Sequence, residues 1–208
     1  MRTVGTLLFP GFELLDVFGP LEMLGALPDE FSVEMVAETA GPVASRQGPK
    51  AIAEAALADA AAFDILLIPG GRGTRREVDN AALIDWLCRH AEASEIGATV
   101  CTGAALLART GLLDGRKATS NKAAFQWVVS QGPNVIWQRH ARWVVDGKYY
   151  TSSGVSAGMD MALALIADLT GPDKARTVAK HTEYRWNADP DDDPFAALYD
   201  PHPAARED

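Results

Sequence analysis

Short, nearly continuous apolar runs, each closed by Gly or Pro and each followed by a segment of helical period, constrain this chain more than any other feature. Val4-Gly5-Thr6-Leu7-Leu8-Phe9 stops at Pro10-Gly11, and Asp64-Ile65-Leu66-Leu67-Ile68 stops at Pro69-Gly70-Gly71. A strand that is apolar on both faces has to be covered on both faces, which predicts a parallel sheet between two layers of helices. The intervening segments fit. Phe12 to Leu27 carries Leu14, Leu15, Phe18, Leu21 and Leu24 at helical spacing, with a break expected at Gly19-Pro20. Phe31 to Ala37 reads as the second strand, and Val43-Ala44-Ser45 with Ala51-Ile52-Ala53 as a short strand pair. Asn80 is placed to cap a helix running to Ala93, whose stripe of Leu83, Ile84, Leu87, Cys88 and Ala91 puts Cys88 with the core.

Ala98-Thr99-Val100 reads as the next strand, joined through Cys101-Thr102-Gly103 directly to a helical segment ending at Arg109. Further on, a helix is expected near Lys122 to Val129. β-Like pieces follow at Val135 to Trp137, Arg142 to Val145 and Tyr149 to Ser152, the last two closed into a hairpin by Asp146-Gly147. Two helices complete the pattern, Gly158 to Thr170 and Asp173 to Tyr184, separated by Gly171-Pro172. Strands alternating with helices define an α/β fold with a doubly wound, mostly parallel sheet.

Composition narrows the function. The 208 residues suit one domain, drawn here over 1–185, and an acidic, proline-rich tail over 186–208 expected to pack on or near it through Phe195, Leu198 and Tyr199. The formal charge is −9, and Asp189 to Asp208 holds seven acidic residues against one basic, so nucleic acid and acidic membrane surfaces are poor partners. No apolar stretch reaches the roughly 18 residues of a membrane span. With only Cys88 and Cys101 and no signal-like leader, a reducing cytoplasm is expected. Asp191-Asp192-Asp193 lacks His or Cys at ligand spacing and reads as a solvated loop, so no metal is expected; the glycines of 70–73 complete neither a dinucleotide fingerprint nor a P-loop, so no cofactor is implied.

In a doubly wound sheet, ligands collect beyond the carboxyl ends of the strands, where Cys101 falls. A cysteine on a tight strand-to-helix elbow is either a buried small residue or a nucleophile, the helix end and nearby amides favouring its thiolate near neutral pH. The amide of Thr102 and those of Gly70-Gly71, which close a neighbouring strand, are placed to form an oxyanion hole. Asp16, inside Leu14-Leu15-Asp16-Val17-Phe18, is either a helix-dipole partner or a buried carboxyl with a raised pKa, which when protonated can donate a hydrogen bond to a thiolate or deliver a proton to an intermediate. No motif places His90, His140, His181 or His202 beside Cys101.

Leu15-Asp16-Val17-Phe18-Gly19-Pro20, Ile68-Pro69-Gly70-Gly71, Val100-Cys101-Thr102-Gly103, Ala118-Thr119-Ser120-Asn121 and Ser153-Gly154-Val155-Ser156-Ala157-Gly158 together resemble the DJ-1/PfpI superfamily over roughly the first 185 residues. Within it, the similarity is greatest to the branch containing isocyanide hydratase. The resemblance implies a flavodoxin-like sandwich, a homodimer, and a small electrophilic substrate. It also implies a site in which Cys101, Asp16, Thr102 and Gly71 are catalytic and Gly70, Asn121, Gly154 and Tyr184 bind substrate. The activity implied is hydration of R–NC to an N-substituted formamide through a Cys101 thioimidate, with glyoxalase or amidase chemistry, a cysteine redox sensor, or a ligand-binding module as alternatives. Thr102 stands where peptidase-like members carry histidine, Asp16 where glyoxalase-like members carry a longer Glu, and Asn121-Lys122 departs from the hydratase branch's Thr-His-Trp. Glu183-Tyr184 matches that branch, whereas Arg185 to Pro190 does not follow its proline-rich continuation.

Overall fold

A computed structural model describes residues 1–199; the expectations for His202 and the rest of the tail beyond Tyr199 lie outside the described residues. The chain runs β1 (Arg2–Leu8), α1 (Leu14–Gly25), β2 (Phe31–Ala37), β3 (Gly41–Ala44), β4 (Lys50–Ala53), β5 (Ala55–Ala56), β6 (Ile65–Ile68), α2 (Thr74–Glu77), α3 (Ala81–Ala93) and β7 (Ile96–Thr99). It continues through α4 (Gly103–Arg109), β8 (Lys117–Ala118), α5 (Phe125–Gln131), β9 (Ile136–Trp137), β10 (Trp143–Asp146), β11 (Tyr149–Ser152), α6 (Ala157–Thr170), α7 (Pro172–His181) and a 3-10 turn at Ala197–Tyr199.

Seven strands form the main sheet in the order β10-β11-β7-β6-β1-β2-β5, parallel throughout except for the β10–β11 hairpin. β3 and β4 form a separate antiparallel pair. Every residue of β6 is buried, and the pleat sends Leu66 and Ile68 to one face and Ile65 and Leu67 to the other. The first face packs on Leu83, Leu87, Leu106, Leu107 and Val128 from α3, α4 and α5, the second on Met23, Met161, Leu165, Ile166 and Val178 from α1, α6 and α7. This two-sided burial is why the apolar runs are nearly continuous. The strand order reverses direction between β1 and β6, and the switch point places the carboxyl ends of β1, β6 and β7 around one crevice.

Two expectations are corrected by packing. α1 runs straight through Pro20. The proline removes one ladder bond, to the carbonyl of Asp16, but Gly19 beside it lies directly on α6, where a Cβ would stand 2.8 Å from Met159 Cγ. Burial of the Gly19-Pro20 face against α6 offsets the missing bond. The last helix stops at His181 and not at Tyr184, because Glu183 turns left-handed at φ 51 and the Tyr184 amide reaches back to the Ala179 carbonyl at 2.9 Å. This is a Schellman stop with Glu where Gly is usual, so no glycine announces it. Asn80 caps α3 as expected, its side chain accepting from the Leu83 amide, while Cys88 on that helix is half-buried.

The segment after α7 packs Tyr184 and Trp186 on the core, and beyond them it is anchored mainly by polar groups. Phe195, Leu198 and Tyr199, expected to pin it, are 49%, 72% and 52% exposed. Instead the Pro190 carbonyl accepts from the Arg142 amide at 2.6 Å, and Asp193, which the acidic run had suggested as solvated, is buried in ion pairs with Lys122 (3.5 Å) and Arg142 (3.9 Å). Lys122 Nζ also donates to Thr119 Oγ1 and the Ala141 carbonyl, and burial lowers its pKa to about 8 against the opposing pull of Asp193. Removing one partner of a buried pair strands the other charge. Asp193→Ala is therefore expected to cost about 3–5 kcal/mol and to expose the segment near Pro190 to proteolysis; an unchanged melting temperature and digestion pattern would contradict this anchoring.

Candidate active site

β7 ends at Thr99, and two residues later Cys101 adopts φ 56, a left-handed conformation that costs a non-glycine residue roughly 1–3 kcal/mol and persists only where neighbours over-determine it. They do so here. The Cys101 amide donates to the Ser153 carbonyl at 3.1 Å, and Ser120 Oγ donates to the Cys101 carbonyl at 2.7 Å. Gly103 opens α4 so close to β6 that a Cβ would lie 2.3 Å from the Ile68 carbonyl oxygen. The motifs at 118–121 and 153–158 thus act as clamps on the elbow. A second strained residue, Val155 at φ 48, aims its amide at the Cys101 sulfur together with that of Thr102.

Asp16 lies in the first turn of α1 with no exposed surface. Its Oδ2 accepts from the Gly70 amide at 2.9 Å, Oδ1 accepts no hydrogen bond among the described residues, and the carboxyl as a whole neighbours the Cys101 thiol. Burial raises the Asp16 pKa from 3.8 to about 7, helped by the nearby Glu13 and opposed by the Gly70 amide and the thiol. Asp16 is thus fully buried while also lying in the first turn of α1. The thiol, in contrast, is not the ready thiolate the elbow suggested: burial pushes its pKa well above the usual cysteine value, the Asp16 charge adds to this, and the Thr102 and Val155 amides only partly compensate. With 6% of its surface exposed, the sulfur sits too deep for the end of α4 to dominate.

The glycine loop is committed internally. Gly71 N–H donates to Thr102 Oγ1 at 3.0 Å, and Thr74 Oγ1 bonds both Thr102 Oγ1 (3.1 Å) and the Gly71 carbonyl (2.7 Å). The amides that face the sulfur are those of Thr102 and Val155; Gly71 and Gly70 instead orient Thr102 and Asp16. A Cβ on Gly70 would stand 2.5 Å from the Thr102 nitrogen and 2.8 Å from Asp16 Oδ2. Gly70→Ala is expected to displace both and to cost about 1–3 kcal/mol. Thermal melts together with the alkylation rate of Cys101 check this; wild-type values for both would contradict it.

Cys101 opens into a cavity of about 390 Å³ lined by Glu13, Arg46, Arg72, Arg75, Asn121, Val155 and their neighbours Gly71, Thr102, Ala123 and Ala124. No histidine lines it, and Asp16 lies beneath the thiol rather than on the wall. Asn121 stands between this cavity and a second one of about 200 Å³, which holds Gly154, Lys122, Phe195 and Tyr199. A Cβ on Gly154 would meet Asn121 Nδ2 at 2.2 Å, so Gly154 makes room for that amide and does not reach Cys101 itself. Tyr184 is elsewhere: its hydroxyl bonds Asp160 at 3.1 Å, within a buried network with Arg142, which holds the α6 end of the sheet. Sequence reasoning missed Glu13, buried and bound to Arg46 and Gln47 from the β3–β4 turn, and the three arginines of the cavity. An acid in the exit turn of the first strand was the available signal for Glu13; none marked the arginines.

A doubly wound α/β sandwich with a strained cysteine elbow above a buried carboxyl defines a class of cysteine-centred flavodoxin-like proteins. The chain belongs to the DJ-1/PfpI family, whose model matches residues 2–168. It is 33% identical over 181 residues to the isonitrile hydratase of Pseudomonas putida, a match covering 87% of this chain and 78% of that one. It is 29% identical to the HTH-type transcriptional regulator CdhR of Pseudomonas aeruginosa across 84% of this chain, and there it spans only 52% of the regulator. Among solved structures, a ThiJ/PfpI family protein from Pseudomonas syringae superposes with a TM-score of 0.83 at 29% identity, covering 94% of this chain and 78% of that one.

Proposed function

We propose that this protein hydrates isocyanides to N-substituted formamides, without a cofactor, by covalent catalysis at Cys101. The observation that carries this reading is the arrangement of cavity, strained Cys101 and fully buried Asp16 beside it, and burial raises the pKa of that carboxyl to about 7 and that of the thiol above its usual value. A base poised near ambient pH is the efficient partner for a thiol that holds its proton. The 33% identity to an isonitrile hydratase supports the choice of substrate.

Asp16 removes the thiol proton as the sulfur attacks the terminal carbon of R–NC, and a C–S bond forms. The proton passes from Asp16 to that carbon, giving the thioimidate R–N=CH–S–Cys101. Water then adds across the C=N bond, its oxygen to the carbon and one proton to the nitrogen; the C–S bond breaks as the second water proton passes to the sulfur, and the formamide R–NH–CHO leaves. The amides of Thr102 and Val155 point at the sulfur, where they stabilise negative charge as it attacks and as it departs.

The burial of Cys101 and its raised pKa weigh against the redox-sensor alternative, which favours exposed, low-pKa cysteines. The test is steady conversion of phenyl isocyanide to formanilide, followed by chromatography. Turnover by the wild type supports the proposal; production of lactate from methylglyoxal without turnover of any isocyanide would replace it with the glyoxalase reading.

A further inference from the structure

The charge around Cys101 is opposite in sign to that of the chain. Three guanidiniums, of Arg46, Arg72 and Arg75, line the cavity against one wall carboxylate, that of Glu13. Glu13 is already spent on Arg46 at 3.3 Å and on Gln47. Among the described residues neither Arg72 nor Arg75 has a carboxylate partner; both are exposed at the cavity rim, which gives it two unpaired, solvent-accessible cations in a protein of net charge −9. Arg75 is positioned, since its guanidinium lies over the Trp127 ring, 3.9 Å from the centroid. Burial lowers its pKa first and the neighbouring Arg72 adds to this, while the Cys101 sulfur, when ionised, opposes both.

Two like charges held at the mouth of a cavity with no counter-ion favour an anion there, and a guanidinium pair suits a planar carboxylate. We propose that the cavity selects substrates bearing an anionic group, a carboxylate in the first place, with Arg72 and Arg75 as its anchor and the electrophilic carbon delivered to Cys101. The identification of that carbon as an isocyanide rests on the function proposed above; the anion preference does not.

Alkylation of Cys101 reads the preference without turnover. The rate ratio of iodoacetate to iodoacetamide cancels any general change in sulfur reactivity and isolates the reagent's charge. The ratio is expected to fall about tenfold in the double variant Arg72→Gln with Arg75→Gln, to survive in Arg75→Lys, and to shrink with salt in the wild type. Benzoate binding, measured by calorimetry, is expected to weaken by a similar factor in the double variant. An unmoved alkylation ratio, or equal benzoate affinity in both proteins, overturns the proposal. In a parallel arm, 4-isocyanobenzoate and phenyl isocyanide are compared as substrates. Failure to hydrate either one, with the alkylation ratio still sensitive to the arginines, sinks the hydratase reading alone; equal kcat/KM for both sinks the anion preference alone.

Discussion

Cys101→Ser is expected to hydrate isocyanides at least about 10³-fold more slowly than the wild type, with little change in stability. A serine hydroxyl fits the elbow and keeps its hydrogen bonds, but it is a far weaker nucleophile, and Asp16 with a pKa of about 7 is too weak a base to ionise it. The loss should fall on kcat, because the cavity wall formed by Glu13, Arg72, Arg75 and Asn121 is untouched. Progress curves at saturating phenyl isocyanide measure it. Residual activity within tenfold of wild type would mean that the sulfur is not the attacking atom.

Asp16→Asn is expected to lower kcat by about 10²–10⁴ and, at the same time, to make the protein more stable at and above neutral pH. The two effects have one cause. The folded-state pKa of Asp16 is raised from 3.8 to about 7, so between those values the native state binds more protons than the unfolded chain. Its contribution to stability is complete below about pH 4 and is lost as pH rises toward 7, a loss on the order of 4 kcal/mol. Asparagine keeps an acceptor for the Gly70 amide and has no charge to desolvate, so the variant escapes that loss. Its melting temperature should exceed that of the wild type at pH 8 and match it near pH 4. A variant less stable than the wild type at pH 8 would mean that Asp16 is held ionised by partners the structure does not show. The wild-type rate should change through a pH near 7, and that limb should disappear in Asp16→Asn.

Much of this arrangement was legible in the sequence because it is governed by local rules. The buried parallel strands follow from apolar runs at 4–9 and 64–68, the α3 cap from Asn80, and the elbow from a strand run that meets a helical run with only Cys101-Thr102-Gly103 between them. What was not legible depends on contacts between distant segments. Pro20 sits inside a helix because α6 covers Gly19. Asp193 is buried because Lys122 and Arg142, far away in sequence, converge on it. Within the site, the pairing of Cys101 with Asp16 was anticipated, but the roles of the glycines were not. Spacing placed Gly70 and Gly71 at the right strand end without revealing that their amides are already taken by Asp16 and Thr102, or that Val155 supplies the second amide to the sulfur. The thiol's raised pKa is likewise a property of burial, which no elbow motif encodes.

Rapid quenching followed by mass spectrometry tests the covalent route most directly. Protein mixed with excess phenyl isocyanide and stopped in acid should carry, on the peptide containing Cys101, an adduct of the intact isocyanide's mass. That adduct should form at least as fast as formanilide appears and decay once the isocyanide is exhausted. Steady formanilide production with no such adduct on Cys101 at any time would contradict the account.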